Sequence, residues 1–157
     1  MSEIASLLCN TQTNNSFICQ RYIDNENKVS YFNCKPSKYD EYNFEKIVFL
    51  ANNNSASASE ALMGAVLDYD KQSGANIVNV IVEKSYSGTK EVYKTYGKGI
   101  MQQTYVNPLT GEAVKLTVAK IYWPISNICI QGSGLTPELD QRILAQNGNI
   151  IEQAMAL

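Results

Sequence analysis

The stretch Lys46-Ile47-Val48-Phe49-Leu50-Ala51, followed by Asn52-Asn53-Asn54-Ser55-Ala56-Ser57-Ala58-Ser59-Glu60, decides how the rest of the chain is read. Its first half is a short apolar run with two β-branched residues, the pattern of a strand buried on both faces in a sheet of parallel type. Beyond the polar residues, apolar side chains recur at Ala58, Ala61, Leu62, Ala65, Val66 and Tyr69, and Met63 and Leu67 widen the stripe. That spacing is one face of a helix. Ser57-Ala58-Ser59-Glu60 fits a capping box, in which the serine accepts from first-turn amides and the glutamate reaches back to the cap N–H. Ser57 is thus expected at a helix N-terminus, where two readings stand: a structural cap, or a hydroxyl beside amides able to hold a developing oxyanion.

Working outward, Gly74 stops the helix and Ile77 to Val82 reads as a second buried strand, which completes a β-α-β unit and an α/β fold class. Glu91 to Tyr96, Ile100 to Val106 and Val114 to Trp123 alternate like strands, with Asn107-Pro108-Leu109-Thr110-Gly111 as a turn between the last two. Ser85 to Thr89 is turn-like. Thr136-Pro137 resembles a cap with a first-turn proline, so a C-terminal helix is expected to begin there, with Gly148 interrupting it. Upstream, Met1 to Leu8 reads as the end of a helix, and Ser16–Cys19 and Val29–Phe32 as strands joined by a turn at Asp24–Asn27.

With 157 residues, 45% hydrophobic and 18% charged, the chain is expected to form one domain over 1–157. A net charge of −2 without a lysine or arginine cluster offers no field for nucleic acid. No apolar run approaches the roughly 20 residues of a membrane span, and the N-terminus has no signal-like pattern. The four cysteines, Cys9, Cys19, Cys34 and Cys129, have no CxxC spacing, so no zinc site is expected, and bridges and free thiols stand as equal alternatives.

The chain has no histidine. A serine nucleophile must therefore take its base from a lysine, a carboxylate or an amine rather than from a Ser-His-Asp arrangement. Asp68 lies eleven residues after Ser57, about 16 Å down the helix axis, and cannot touch it directly. Lys98 is flanked by Gly97 and Gly99, which allow close backbone approach, and a lysine in a dry pocket can act as a base. A solvated turn lysine is the other reading of the same three residues.

Ser55-Ala56-Ser57-Ala58-Ser59-Glu60, Leu67-Asp68-Tyr69, Thr95-Tyr96-Gly97-Lys98-Gly99-Ile100-Met101-Gln102, Lys115 to Ala119 and Gly134-Leu135-Thr136-Pro137-Glu138 together resemble, in order, the C-terminal processing (tail-specific) peptidases of family S41. The resemblance spans residues 46–140. It implies a crotonase-like or Clp-protease-like α/β core and a serine endopeptidase with a Ser–Lys dyad, acting on protein or peptide substrates without metal or cofactor. It assigns the nucleophile to Ser57, the base to Lys98, an orienting glutamine to Gln102, an oxyanion donor to the Ala58 amide and a supporting role to Asp68. Lys90, in a segment that partly echoes the GKG motif, is a rival base. The family's glycine-rich DLRxNxGG segment and its PDZ domain have no counterpart here, so the chain is expected to be the second half of a catalytic domain, prone to form a homo-oligomer. An extracytoplasmic location (periplasm, cell envelope or secreted) follows from the family alone. The alternative is a catalytically silent S41-like module that binds peptides or assembles with other chains.

Overall fold

A computed structural model describes residues 2–9, 17–23, 28–33, 42 and 44–157. In chain order the elements are α1 (Ser2–Leu8), β1 (Phe17–Ile23), β2 (Lys28–Asn33), β3 (Ile47–Ala51), α2 (Ala58–Ser73), β4 (Val78–Val82), β5 (Ser85–Ser87) and β6 (Lys90–Val92). They continue with β7 (Ile100–Val106), β8 (Ala113–Tyr122), β9 (Ile143–Ala145) and α3 (Ile150–Met155). The polar junction at Asn52–Ser57 does join a strand to a helix. β3 pairs in parallel with β4, from Ile47 opposite Val78 to Ala51 opposite Val82, and α2 is the crossover between them.

β9 adds on the far side of β4, also parallel, giving the order β3-β4-β9. Burial follows that order. Val78, Val80, Ile81 and Val82 of the central strand are all buried, whereas β3 borders the sheet and its Leu50 is 44% exposed. Burial on both faces thus belongs to β4, and the expectation of it for residues 46–51 fails because β3 has a neighbour on one side only among the described residues. α2 goes beyond the expected stripe: Glu60 to Asp70 are buried apart from Leu62, so the helix lies inside the protein rather than on it. Leu67, Val66 and Ala65 are fully enclosed with Val80, Val82, Leu135 and Ile143.

Gly74 closes α2 in the left-handed conformation (φ 74°) with its N–H on the carbonyls of Asp70 and Lys71. The Asp70 carboxylate accepts from the backbone N–H of Ile77 (3.0 Å) and Val78 (3.3 Å) and pairs with Arg142 at 3.1 Å. Arg142 also donates to the Leu67 carbonyl and to both oxygens of Asp140. One buried guanidinium therefore fastens the end of the helix to the entries of β4 and β9.

A separate antiparallel sheet has the order β2-β1-β8-β7. Ile23 opposite Lys28 makes β1 and β2 a hairpin, although the expected turn residues 24–27 lie outside the described residues. β7 and β8 form a long hairpin closed at Asn107–Glu112, with a register shift at Met101/Gln102. Where β8 ends, buried Trp123 packs against α2: a Cβ on Gly64 would overlap its indole nitrogen, so only glycine fits there. Asp68 secures the following turn, its Oδ2 accepting from Ile125 N–H, Ser126 N–H and the Ser126 hydroxyl, each at 3.0 Å.

Two local expectations give way to the sheet. Thr136-Pro137 opens a turn, with Leu139 N–H on Thr136 O, and Ile143–Ala145 become β9 because β4 offers an open edge whose ladder they fill. The C-terminal helix starts instead at Ile150, capped by Asn149, which accepts from Ile151 and Glu152 N–H, so Gly148 precedes the helix rather than interrupting it. Residues 85–92 form the β5–β6 hairpin turning at Gly88 (φ 64°), while the chain from Tyr93 to Gly99 runs outside any strand ladder.

Candidate active site

Asn52 builds the approach to α2. Its N–H donates to Ser55 Oγ (3.1 Å), its carbonyl accepts from Ser55 N–H (2.9 Å), and its side-chain oxygen accepts from Asn54 N–H (3.0 Å). The hydroxyl of Ser55 is thereby engaged in the turn. Ser57 follows with φ 57° and ψ −112°, a conformation that favours glycine and costs a residue with a side chain about 1–3 kcal/mol. Ser57 O accepts from Ala61 N–H at 2.9 Å and Ala56 O from Ser59 N–H at 3.2 Å. The Ala58 N–H, first in the helix, enters none of the described hydrogen bonds and points from the positive end of the helix dipole.

What holds Ser57 in that conformation is Glu60. Its side chain has no exposed surface, and four donors surround it. Oε2 accepts from the backbone N–H of Ser57 and from that of Lys98, both at 2.9 Å. Oε1 accepts from Gly97 N–H (2.7 Å) and from the Thr95 hydroxyl (2.5 Å). The carboxylate half of the capping box is therefore made, and the same group reaches across to the GKG segment. Because Ser57 and Lys98 nitrogens share one oxygen, their backbones lie within twice a hydrogen-bond length of each other. A buried carboxylate is tolerable here because every charge-assisted bond it can accept is supplied.

The GKG segment is pressed between α2 and a second glycine pair. Tyr96 N–H donates to Ser55 O (3.0 Å), Thr95 N–H to Leu135 O (3.2 Å), and Gly132 N–H to Gly97 O (2.8 Å). The Thr95 hydroxyl accepts from Leu135 N–H (2.8 Å) while donating to Glu60, and Gln131 Oε1 accepts from Gly99 N–H at 2.9 Å. Gly97 has φ 86°, and a Cβ there would sit 2.8 Å from Gly134 N. A Cβ on Gly99 would meet Gln131 N at 2.8 Å. Gly97 and Gly99 thus press on the backbone of residues 131–134, and Gly134 on that of Thr95, as no larger residue allows, whereas a Cβ on Gly132 would meet open space.

Ser57 and Lys98 are each half-buried, and among the described residues Lys98 forms no ion pair. Lys90 is exposed on β6, within the β5–β6 hairpin and outside the Glu60 clamp. Gln102 is an exposed residue of β7; Gly99 O accepts from Ile121 N–H (2.8 Å), so the chain runs extended from Gly99, and four such residues span about 13 Å. Asp68 is engaged at the turn after β8. Cys129 is a free thiol, 3.7 Å from Gly99 O at the back of the same segment.

Sequence reasoning saw Glu60 as a cap and motif residue, placed Thr95 and Gly134 in motifs without a role, and gave Gln131 and Gly132 no part. A carboxylate opening a helix whose next turns are apolar, and a second G-x-G matching the first, were the signals that could have found them. The family model for peptidase family S41 matches residues 3–141, and no curated protein matches the chain.

Proposed function

Since the chain belongs to peptidase family S41, we propose that it carries the Ser–Lys centre of a serine endopeptidase of the C-terminal processing type, built on a crotonase-like or Clp-protease-like variant of this α/β fold. The observation that supports it best is the single Glu60 oxygen shared by the backbone N–H groups of Ser57 and Lys98. Peptide hydrolysis without histidine needs a serine, an amine and an oxyanion donor in one place. The clamp brings the backbones of Ser57 and Lys98 together, and Ser57 begins the helix whose first free amide belongs to Ala58.

In the proposed reaction Ser57 Oγ attacks the substrate carbonyl carbon as its proton passes to the uncharged Lys98 amine. The tetrahedral oxyanion is held by Ala58 N–H. Lys98 then protonates the departing amine, leaving an acyl-enzyme, and takes a proton from the water that hydrolyses the ester. Gln102 orients the Lys98 amine in this proposal, which requires the chain to bend at Gly99 when a peptide binds. One oxyanion donor is fewer than acyl transfer uses at full rate, and each absent donor costs about 10²–10³ in rate, so the 157-residue chain alone is expected to turn over slowly. A second copy pairing on an open sheet edge is the proposed mode of self-association.

A fluorophosphonate probe tests the assignment, because it needs an activated serine but no complete oxyanion hole. After incubation, mass spectrometry should place the adduct on Ser57. Labelling should vanish in Lys98→Ala and persist in Lys90→Ala. An adduct on Ser55 or Ser59 with Ser57 untouched would overturn the nucleophile, and the reverse lysine result would move the base to Lys90. A folded chain with no labelled serine would favour the silent peptide-binding module.

A further inference from the structure

We infer that Gln131 is a positioning residue for the proposed reaction: its side-chain amide aims Lys98 by holding the peptide plane that follows it. The inference rests on the Ser57–Lys98 reading and adds to it what sets the direction of the base. A side chain leaves its Cα in a direction fixed by the two peptide planes on either side. At Lys98 each plane has its own fastener. The preceding plane, Gly97–Lys98, is held twice, by Lys98 N–H on Glu60 Oε2 at 2.9 Å and by Gly132 N–H on Gly97 O at 2.8 Å. The following plane, Lys98–Gly99, has one described hydrogen bond, from Gly99 N–H to Gln131 Oε1 at 2.9 Å.

Glycine makes that single bond matter. With no Cβ at residue 99, the plane can swing about Lys98 ψ and Gly99 φ at little steric cost. The same glycine lets Gln131 come close, since a Cβ there would sit 2.8 Å from Gln131 N. Gln131 is carried in turn by a tight bend: Ser133 N–H and Gly134 N–H both donate to the carbonyl of buried Ile130, at 3.1 and 3.0 Å. Although Gln131 is an exposed residue, its amide oxygen is engaged on Gly99. Two consecutive residues thus bracket Lys98, Gln131 on Gly99 and Gly132 on Gly97.

The length of the lysine side chain turns a small slip into a large loss. Its amine lies up to about 6 Å from Cα, so a tilt of about 10° moves it by about 1 Å, a displacement that can cost about 10²-fold in rate. Gln131 acts through the backbone of Lys98 and not on the substrate.

The test uses the full chain with Gln131→Leu, which removes the acceptor, Gln131→Asn, which shortens its reach, and Gln131→Glu, which keeps both acceptor and length. Fluorophosphonate labelling of Ser57 is timed by mass spectrometry, hydrogen exchange at the Gly99 amide is read on the same proteins, and circular dichroism verifies the fold. Gln131→Leu and Gln131→Asn should label about 10- to 100-fold more slowly than the parent and lose protection at Gly99. Gln131→Glu should recover most of both. Ile143→Val, a loss of buried volume on β9, is the control for stability alone and should label at the parental rate. Should Gln131→Leu not fold, the Asn and Glu variants, one carbon apart in length, decide the same question. Labelling of the Leu and Asn variants slowed no more than that of Ile143→Val overturns the inference, as does a Gly99 amide equally protected in every protein. So does a Gln131→Glu chain that keeps Gly99 protected yet labels as slowly as Gln131→Leu. Exchange at Gly99 that follows Gln131 as expected, with no serine labelled even in the parent, would instead overturn the peptidase reading and leave the hold of Gln131 on the Lys98–Gly99 plane standing.

Discussion

Replacing Glu60 by glutamine keeps the side chain's volume and removes what its surroundings require. Three backbone N–H groups and one hydroxyl point at two carboxylate oxygens. An amide offers one oxygen, and its NH2 must face donors wherever it is turned, so about half of the four bonds become donor against donor. Hydrogen bonds to a charged group contribute about 1.5–3 kcal/mol each, and a buried donor left unpaired costs about 1–3 kcal/mol. Because the Thr95 hydroxyl can rotate and the GKG segment can relax, a net loss of about 2–5 kcal/mol is expected. With a urea slope of about 1–3 kcal/mol per molar, the unfolding midpoint should fall by more than about 1 M. Trp123, the sole tryptophan, is packed on α2 and reports the transition by fluorescence. Hydrogen exchange should show the amides of Ser57, Gly97 and Lys98 losing protection ahead of those in β4. Glu152→Gln, in the first turn of exposed α3, is the control and should change stability by no more than a few tenths of a kcal/mol. A shift below about 0.5 kcal/mol for Glu60→Gln, with those three amides as protected as before, would refute the clamp.

Ser57→Gly should be more stable than Ser57→Ala by about 1 kcal/mol, because glycine relieves the φ 57° backbone and alanine inherits it; chemical denaturation of the pair reads the difference, and alanine as the more stable would contradict strain at this residue. Gly97→Ala should cost about 2–4 kcal/mol through both its φ of 86° and the contact of a Cβ with Gly134 N, and a thermal midpoint within error of the parent would exclude that close approach. The Arg142 hydrogen bonds hold the Asp140 carboxyl below its usual range, so its stabilising effect is complete above about pH 4 and is lost as pH falls through the lowered folded value. Asp140→Asn should therefore be the less stable protein at pH 7, with the gap closing in acid; a gap that persists at pH 2 would assign the effect to something other than ionisation.

The β3–α2–β4 unit was legible because its signals are periodic and local: an apolar run, a three-and-four spacing, a glycine stop. Leu50 was misjudged because a strand's place in a sheet depends on partners far away in sequence, and burial on both faces went to β4. Thr136-Pro137 carries correct helix-start chemistry, yet the free edge of β4 outweighs a cap and recruits Ile143–Ala145 as a strand. At the candidate site, the flanking residues single out Ser57 and Lys98, whose backbones the structure brings together on Glu60. Glu60 could not be given its second role, since a capping box looks the same whether or not its carboxylate has a spare oxygen pair for a segment 38 residues on. The matching glycines at 132 and 134 are visible only as a pair with 97 and 99, and that pairing is a fact of tertiary structure.

The clamp also carries a timetable. It closes across 38 residues to Lys98, and the Thr95 hydroxyl that supports it takes its own donor from Leu135, 40 residues further along. Contacts so distant in sequence form slowly, after local helices and hairpins, and a chain made from its N-terminus has Ser57 and all of α2 long before Gly132 to Leu135 exist. On the proposed reading, a half-synthesised chain holds a serine without an aligned base and cannot attack itself or its neighbours. On the same reading, loosening of the 131–135 segment in the finished protein would part the serine from its base by the same route.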